Sequence, residues 1–164
     1  MSFGFLVAGF LATMNAGRVA LAAAARRPAP RELAIALAVA VVLVVACVLG
    51  ADTLLDALSI SPESWRIAAA VVLGAMGVRT IIWPESAAPF GAILFTPELA
   101  AVSVSFGADE SAGRVLAAAA IGLLPALLAV RARRRDTSAL AAQFLAALQI
   151  VVAIALAVSG IRDV

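Results

Sequence analysis

The sequence predicts an all-α, polytopic membrane protein of six transmembrane helices. They form two inverted three-helix repeats, with helices 1 and 4 broken. Three observations carry this. The 164 residues are 65% hydrophobic with mean hydropathy +1.12, more apolar surface than a soluble domain of this size needs. The charges of successive connections alternate in sign. The two halves match in one constant register, in which Thr13 meets Thr96 and Gly77 meets Gly160.

Composition also narrows function. The twelve basic residues are all arginine, histidine and tyrosine are absent, and the net charge is +2. The arginines cluster in short turns, where they read as topology signals, so no nucleic-acid partner is expected. Cys47, the single cysteine, lies in an apolar run and reads as packing. One cysteine without histidine argues against zinc. No nucleophile–base–orienter set and no phosphate loop is present. The chain is therefore not expected to be an enzyme, and no catalytic residue, cofactor or metal is expected.

Phe3 to Ala25 is the first apolar segment. Its Ala-Leu-Ala-Ala run from Ala20 resembles a signal-cleavage site. Nothing basic precedes it, however, and Asn15 and Arg18 lie inside it. That is the reverse of a signal peptide, so the segment reads as span one. A basic turn from Arg26 to Glu32 follows. Leu33 to Gly50 is span two, rich in valine and free of charge. Asp52 to Ser64 reads as an acidic connection in which Ser61-Pro62 signals a helix start. Span three runs from Trp65 to about Trp83, with a tryptophan near each end as in an interfacial aromatic belt.

Span four, Pro89 to Phe106, organises the chain. Pro97 lacks an amide hydrogen, and its ring clashes with the preceding turn, so a continuous helix is broken there. Glu98 places an ionisable group where a charge costs about 2.5–3.5 kcal/mol. Irregular backbone at such depth survives only where protein or a water-filled cavity covers it. Gly107 to Gly113 reads as an acidic loop. Val115 to Val130 is span five, containing Pro125. A basic loop from Arg131 to Asp136 leads to span six, Ala139 to Gly160. The whole chain, 1–164, is one integral membrane domain, with repeats at about 1–83 and 84–164.

The turns after spans one, three and five, with the helix ends beside them, hold Arg26, Arg27, Arg31, Arg79, Arg131, Arg133, Arg134 and Arg135. Those after spans two and four hold Asp52, Asp56, Glu63, Asp109 and Glu110, with only Arg66 and Arg114 near them. The positive-inside rule then puts both termini outside and the basic turns in the cytoplasm of a bacterial plasma (inner) membrane. The register of the two halves also pairs Arg31 with Arg114 and Arg79 with Arg162. Three spans per half invert the second half, giving a pseudo-two-fold axis in the membrane plane. Asn15 then falls opposite Glu98.

Leu58-Ser-Ile-Ser-Pro-Glu-Ser-Trp-Arg-Ile-Ala-Ala-Ala-Val-Val-Leu73 resembles the segment that opens span three in the MarC family, where an aromatic-Arg-Ile-Ala-Gly-Gly pattern precedes a leucine-rich run. Asn15-Ala-Gly-Arg-Val19 is similar to that family's Asn-Pro-x-Gly motif, and Pro89 to Ala100 to its proline-rich motif in span four. The likeness covers about residues 5 to 160. It implies the six-span fold of the LysE-type transporter superfamily and movement of small neutral amino acids. The chain departs from the pattern at Ala16, in place of the motif proline, and at Ala69 and Ala70, in place of paired glycines. It departs again at Pro97-Glu98, where the family has Gly-Pro-Gly.

The expected substrate-binding residues are Asn15, Gly17, Thr96 and Glu98. Asn15 either offers its amide to substrate or caps a helix break. Arg18, one turn from Asn15, either binds a substrate carboxylate or, as expected here, forms a structural charge pair with Glu98, because unpaired charges in a bilayer are rare. Thr13 and Thr96 are expected to back-bond to carbonyls, and Ser103 and Ser105 to serve helix packing. Arg66 is expected to anchor span three at the interface. Two function classes follow: a secondary transporter for a small solute, or a non-transporting subunit of a homo-oligomer or larger membrane complex whose polar centre is only an ion pair.

Overall fold

The computed structural model describes residues 1–25, 28–83, 96–130 and 135–163, and every element among them is a helix. In chain order these are α1 (Phe3–Met14), α2 (Ala16–Ala25), α3 (Pro30–Leu49), α4 (Ala51–Leu58), α5 (Pro62–Ile82), α6 (Pro97–Asp109), α7 (Ala112–Ala129) and α8 (Arg135–Arg162). Among the described residues, five stretches are long and apolar enough to cross a membrane: Phe3–Ala25, Pro30–Leu49, Pro62–Ile82, Ala112–Ala129 and Ser138–Arg162. They correspond to spans one, two, three, five and six. Of span four, residues 89–95 lie outside the described residues, and α6 is its second part. Arg26, Arg27, Arg131, Arg133 and Arg134 of the basic turns also lie outside them.

Start signals act as their chemistry dictates. Ser2, Ser61 and Thr96 sit in extended conformation, and each side-chain oxygen accepts an amide hydrogen three residues on, from Phe5, Ser64 and Leu99. Pro30, Pro62 and Pro97 occupy first helical turns, where the missing amide hydrogen costs nothing. Pro125 lies inside α7 as the sequence places it.

Two connections differ from expectation. The acidic stretch after span two contains the amphipathic helix α4. Ala51 and Leu55 are buried with Val104 of α6, while Asp52 and Asp56 face outward. Ser59 closes α4 in the left-handed region, at φ 54°. The expected loop from Gly107 is instead the last turn of α6, which needs the glycine: a Cβ there would sit 2.8 Å from the Val48 Cα of α3.

The first span is the most enclosed, and α3 is peripheral. On α3 only a four-residue stripe is buried, at Ala36, Ala40, Val44 and Val48, while Val42 is 66% exposed. Phe144, Leu140, Val71 and Leu128 likewise point outward. Apolar side chains over so much of the outer surface suit a lipid environment and would associate in water. Inside, α1 packs against α6, α7 and α8, and α5 lies along α8. Phe106 of α6 meets Phe5 and Phe10 of α1 edge to face, with ring centroids 6.0 and 5.6 Å apart. Gly9 admits that ring, since a Cβ there would be 2.7 Å from it.

The chain ends meet at one end of the bundle. The Met1 ammonium pairs with Glu110, which also binds Arg114. At the same end Arg66 of α5 pairs with Asp109 of α6 at 2.6 Å and with Asp163 beyond α8. This is the acidic end. Trp65 is half-buried, and its Nε1 donates to the Ala101 carbonyl of α6 at 3.1 Å. Trp83, in contrast, is exposed.

Candidate functional site at the helix break

Span one divides at Asn15. Its backbone takes φ 28° and ψ 77°. That lies outside the helical region and is unusual for a residue with a Cβ. Asparagine tolerates this because its short amide bonds locally. Oδ1 accepts from the Arg18 amide at 3.2 Å and so caps α2. Nδ2 donates to the Ala142 carbonyl of α8 at 3.2 Å. One side chain thus starts α2 and ties the break to the next helix. Asn15 itself is buried, at 2% exposure.

The neighbouring residues set how closely the helices approach. Gly17 lies directly on the α8 backbone, where a Cβ would overlap Ala142. Its evident work is helix packing. Thr13 donates its hydroxyl to the Gly9 and Phe10 carbonyls at 3.0 and 3.1 Å. Thr96 departs from the expected back-bonding: its oxygen accepts the Leu99 amide and caps α6. The reason is Pro97, which begins α6 where the extended Thr96 breaks from helical backbone, so that the threonine becomes the cap.

Glu98 lies in the first turn of α6 and has no solvent exposure. Arg18, in the first turn of α2, reaches it across the bundle, with Nη1 donating to Oε1 at 3.4 Å. The second carboxylate oxygen, Oε2, has no hydrogen-bond partner among the described residues. The pair thus joins the first turns of α2 and α6, and one residue, Asn15, separates the end of α1 from the start of α2. N-termini carry partial positive charge and C-termini partial negative charge, so the break presents both signs within a few residues.

The structure brings Asn15, Gly17 and Arg18 together at the start of α2 and joins them to Glu98 through Arg18. It gives Thr96 a role at the start of α6. Beside the break, Met14 borders an apolar cleft of about 220 Å³ between α3 and α7, lined by Ala40, Val44, Leu116, Ala119 and Leu123 among others. That cleft offers almost no donor or acceptor.

Two features escaped sequence reading. Arg66 is buried in a network of partners: Nη1 reaches Ser159 Oγ at 2.9 Å and Asp163, and Nη2 reaches Asp109. Its acidic partners lie 43 and 97 positions away, and no local pattern shows such a pairing. Gln149 of α8 is 1% exposed, and neither end of its amide has a partner among the described residues. It matches Arg66 in the register of the two halves, which is the available signal. Comparison with family models, characterised proteins and solved structures finds no match for this chain.

Proposed function

We propose that the protein is a MarC-like secondary transporter, moving small neutral amino acids or similar zwitterions across the plasma membrane. The observation that carries this is the buried break at Asn15 with a loose, opposite-charged pair beside it. Broken spans meeting at mid-membrane with half-helix termini aimed at the gap are the recurring architecture of such sites. A zwitterion would exchange partners with the pair. Its ammonium would take Glu98 and the α1 C-terminus, and its carboxylate would take Arg18 and the α2 and α6 N-termini.

The proposed architecture is the six-span inverted repeat. Reciprocal close approaches of Gly77 and Gly160 between α5 and α8 support it, as does the meeting of both chain ends at one end of the bundle. A second reading, a non-transporting subunit of a larger membrane complex, is favoured by the complete burial of Glu98. Uptake of glycine, alanine and serine into vesicles of the purified protein separates the two. Saturable uptake that is lost in Glu98→Gln protein shown to remain folded supports transport. Protein that stays folded, moves none of these solutes and always co-purifies with larger partners supports the subunit.

A further inference from the structure

Three buried oxygens without partners share one face of α6. Glu98, Ser105 and Asp109 are spaced by seven and four residues, which returns to one helical stripe. Glu98 Oε2, Ser105 Oγ and Asp109 Oδ2 each lack a hydrogen-bond partner among the described residues. Glu98 is 0% and Ser105 2% exposed. Leaving a buried polar atom unbonded is costly, so three on one stripe is not an ordinary packing surface. The other flanks of α6 are occupied: Gly107 backs onto α3, Phe106 meets α1, and the Ala101 carbonyl binds Trp65 of α5. Val102, four residues from Glu98, is buried along the α1 edge of the stripe and near Gly9. The stripe therefore lies between α1 and α5.

We propose that this stripe is a proton route joining the acidic end of the bundle to Glu98. Asp109 is the mouth, Ser105 the relay and Glu98 the terminus. A hydroxyl can do this because it accepts one hydrogen while donating another. The rise from Asp109 to Ser105 is about 6 Å and from Ser105 to Glu98 about 10 Å, so bridging waters complete the chain. A proton enters from water beside Asp109, and the Ser105 hydroxyl passes one hydrogen on as it receives another. The Glu98 carboxylate then becomes a neutral acid. The net change is one proton gained at Glu98, which frees the carboxyl from its ion pair with Arg18.

The charged groups around the stripe fit this direction. Arg18 of α2 faces Glu98. Arg66 of α5, Asp163 after α8 and the Met1 ammonium before α1 surround the Asp109–Glu110 turn. Arg114 of α7 is held by Glu110, and α4 turns Asp52 and Asp56 outward. Acid groups thus collect at the mouth, and one acid waits at the far end. The purpose of the route rests on the transport reading. An ionised Glu98 would bind a substrate ammonium, so proton and solute would compete for it, and movement of one would drive the other.

Infrared spectroscopy of the purified full chain in lipid tests the route without any solute. Acidification should produce a buried carboxylic-acid band that Glu98→Gln removes. On transfer to heavy water that band should shift as the acid proton exchanges. Ser105→Ala should slow the shift by about tenfold, the rate equivalent of one lost hydrogen bond. Ser105→Ala removes an unbonded hydroxyl and keeps the helix, so it should fold. Ser103 is the control. It too is buried and without a partner among the described residues, but five positions along the helix turn it well away from the Glu98 stripe. Ser103→Ala should leave the rate unchanged. Absence of a Glu98 band at any pH overturns the proposal. So does exchange in Ser105→Ala as fast as in the wild type, or equal slowing by Ser103→Ala. A chain that passes this test but moves no solute keeps the route and loses the transport reading. Intact uptake with unaltered exchange does the reverse.

Discussion

Gly77 and Gly160 make reciprocal contacts across the α5–α8 interface. A Cβ on Gly77 would lie 2.9 Å from Ile150, 3.0 Å from the Ala146 carbonyl and 3.5 Å from Gln149. A Cβ on Gly160 would lie 2.8 Å from Ile67, 3.0 Å from the Glu63 carbonyl and 3.4 Å from Arg66. Ile150 matches Ile67, Ala146 matches Glu63 and Gln149 matches Arg66 in the same register that pairs the two glycines. Small residues let membrane helices approach closely, and here each helix supplies one such point near its C-terminus.

Gly77→Leu and Gly160→Leu should each separate α5 from α8 and destabilise the protein by about 1–3 kcal/mol, the usual cost of overpacking. The ten residues between Ile150 and Gly160 on α8 put the two contacts roughly 15 Å apart. Beyond about 7–10 Å, effects add. Thermal unfolding in detergent should therefore give a double-variant loss equal to the sum. A loss well short of that sum would show that the two contacts form one shared patch.

The Arg18–Glu98 pair makes a different prediction, because both charges are enclosed by apolar helices. Removing one partner of a buried pair strands the other, at about 3–5 kcal/mol. Glu98→Gln and Arg18→Gln should each be strongly destabilising. The double variant should be more stable than the sum of the single losses predicts. Urea or thermal unfolding of the four proteins completes the cycle, and strict additivity would rule out a contact between the two side chains.

The acidic end supplies a pH dependence with two opposed parts. Burial raises the Asp109 carboxyl above its ordinary 3.8, although Arg66 partly offsets the shift. The folded chain then holds that proton more tightly than the unfolded chain. Stability from this group is full below the ordinary value and is lost as pH rises through the folded one. Glu110 is lowered from 4.5, chiefly by its hydrogen bond from the Met1 ammonium. Its contribution is present above the ordinary value and is lost as pH falls through the folded one. Melting temperature followed from neutral to acidic pH should lose the first trend in Asp109→Asn and the second in Glu110→Gln. A profile unchanged by both substitutions would place the titrating groups elsewhere.

Helical class, helix starts and membrane character are legible in the sequence because they follow from short-range patterns. Ser61-Pro62 marks the start of α5, and a valine-rich run marks α3. The break at Asn15 can be read from an amide beside Gly17 in an apolar segment. Contacts are less legible. Arg66 lies in a run that reads as a helix start, yet its partners are Asp109 and Asp163, which tertiary folding alone brings near. Trp65 carries the aromatic signature of an interface, but its indole nitrogen finds a carbonyl on α6. The helix α4 is hidden because Asp52 and Asp56 make the stretch read as a connection, although Ala51 and Leu55 recur at helical spacing.

Asn15 allows its three tasks to be separated by substitution. It occupies a positive φ, caps α2 through Oδ1 and holds α8 through Nδ2. Asn15→Gly keeps the backbone conformation accessible but loses both side-chain bonds. Asn15→Ala loses both bonds and adds the penalty of a Cβ at positive φ. Asn15→Asp keeps an oxygen for the cap but removes the donor to Ala142 and adds a buried charge. Loss of a cap costs about 0.5–2 kcal/mol, and a residue held in the left-handed region adds about 1–2 kcal/mol. Glycine should therefore be the mildest of the three and alanine worse by roughly the backbone penalty. Aspartate should recover towards wild type only at low pH, where its carboxyl is neutral and can both donate and accept. Melting curves of the three variants at neutral and acidic pH check the order. Alanine and glycine of equal stability would mean that the backbone at the break relaxes to a negative φ once the amide is gone.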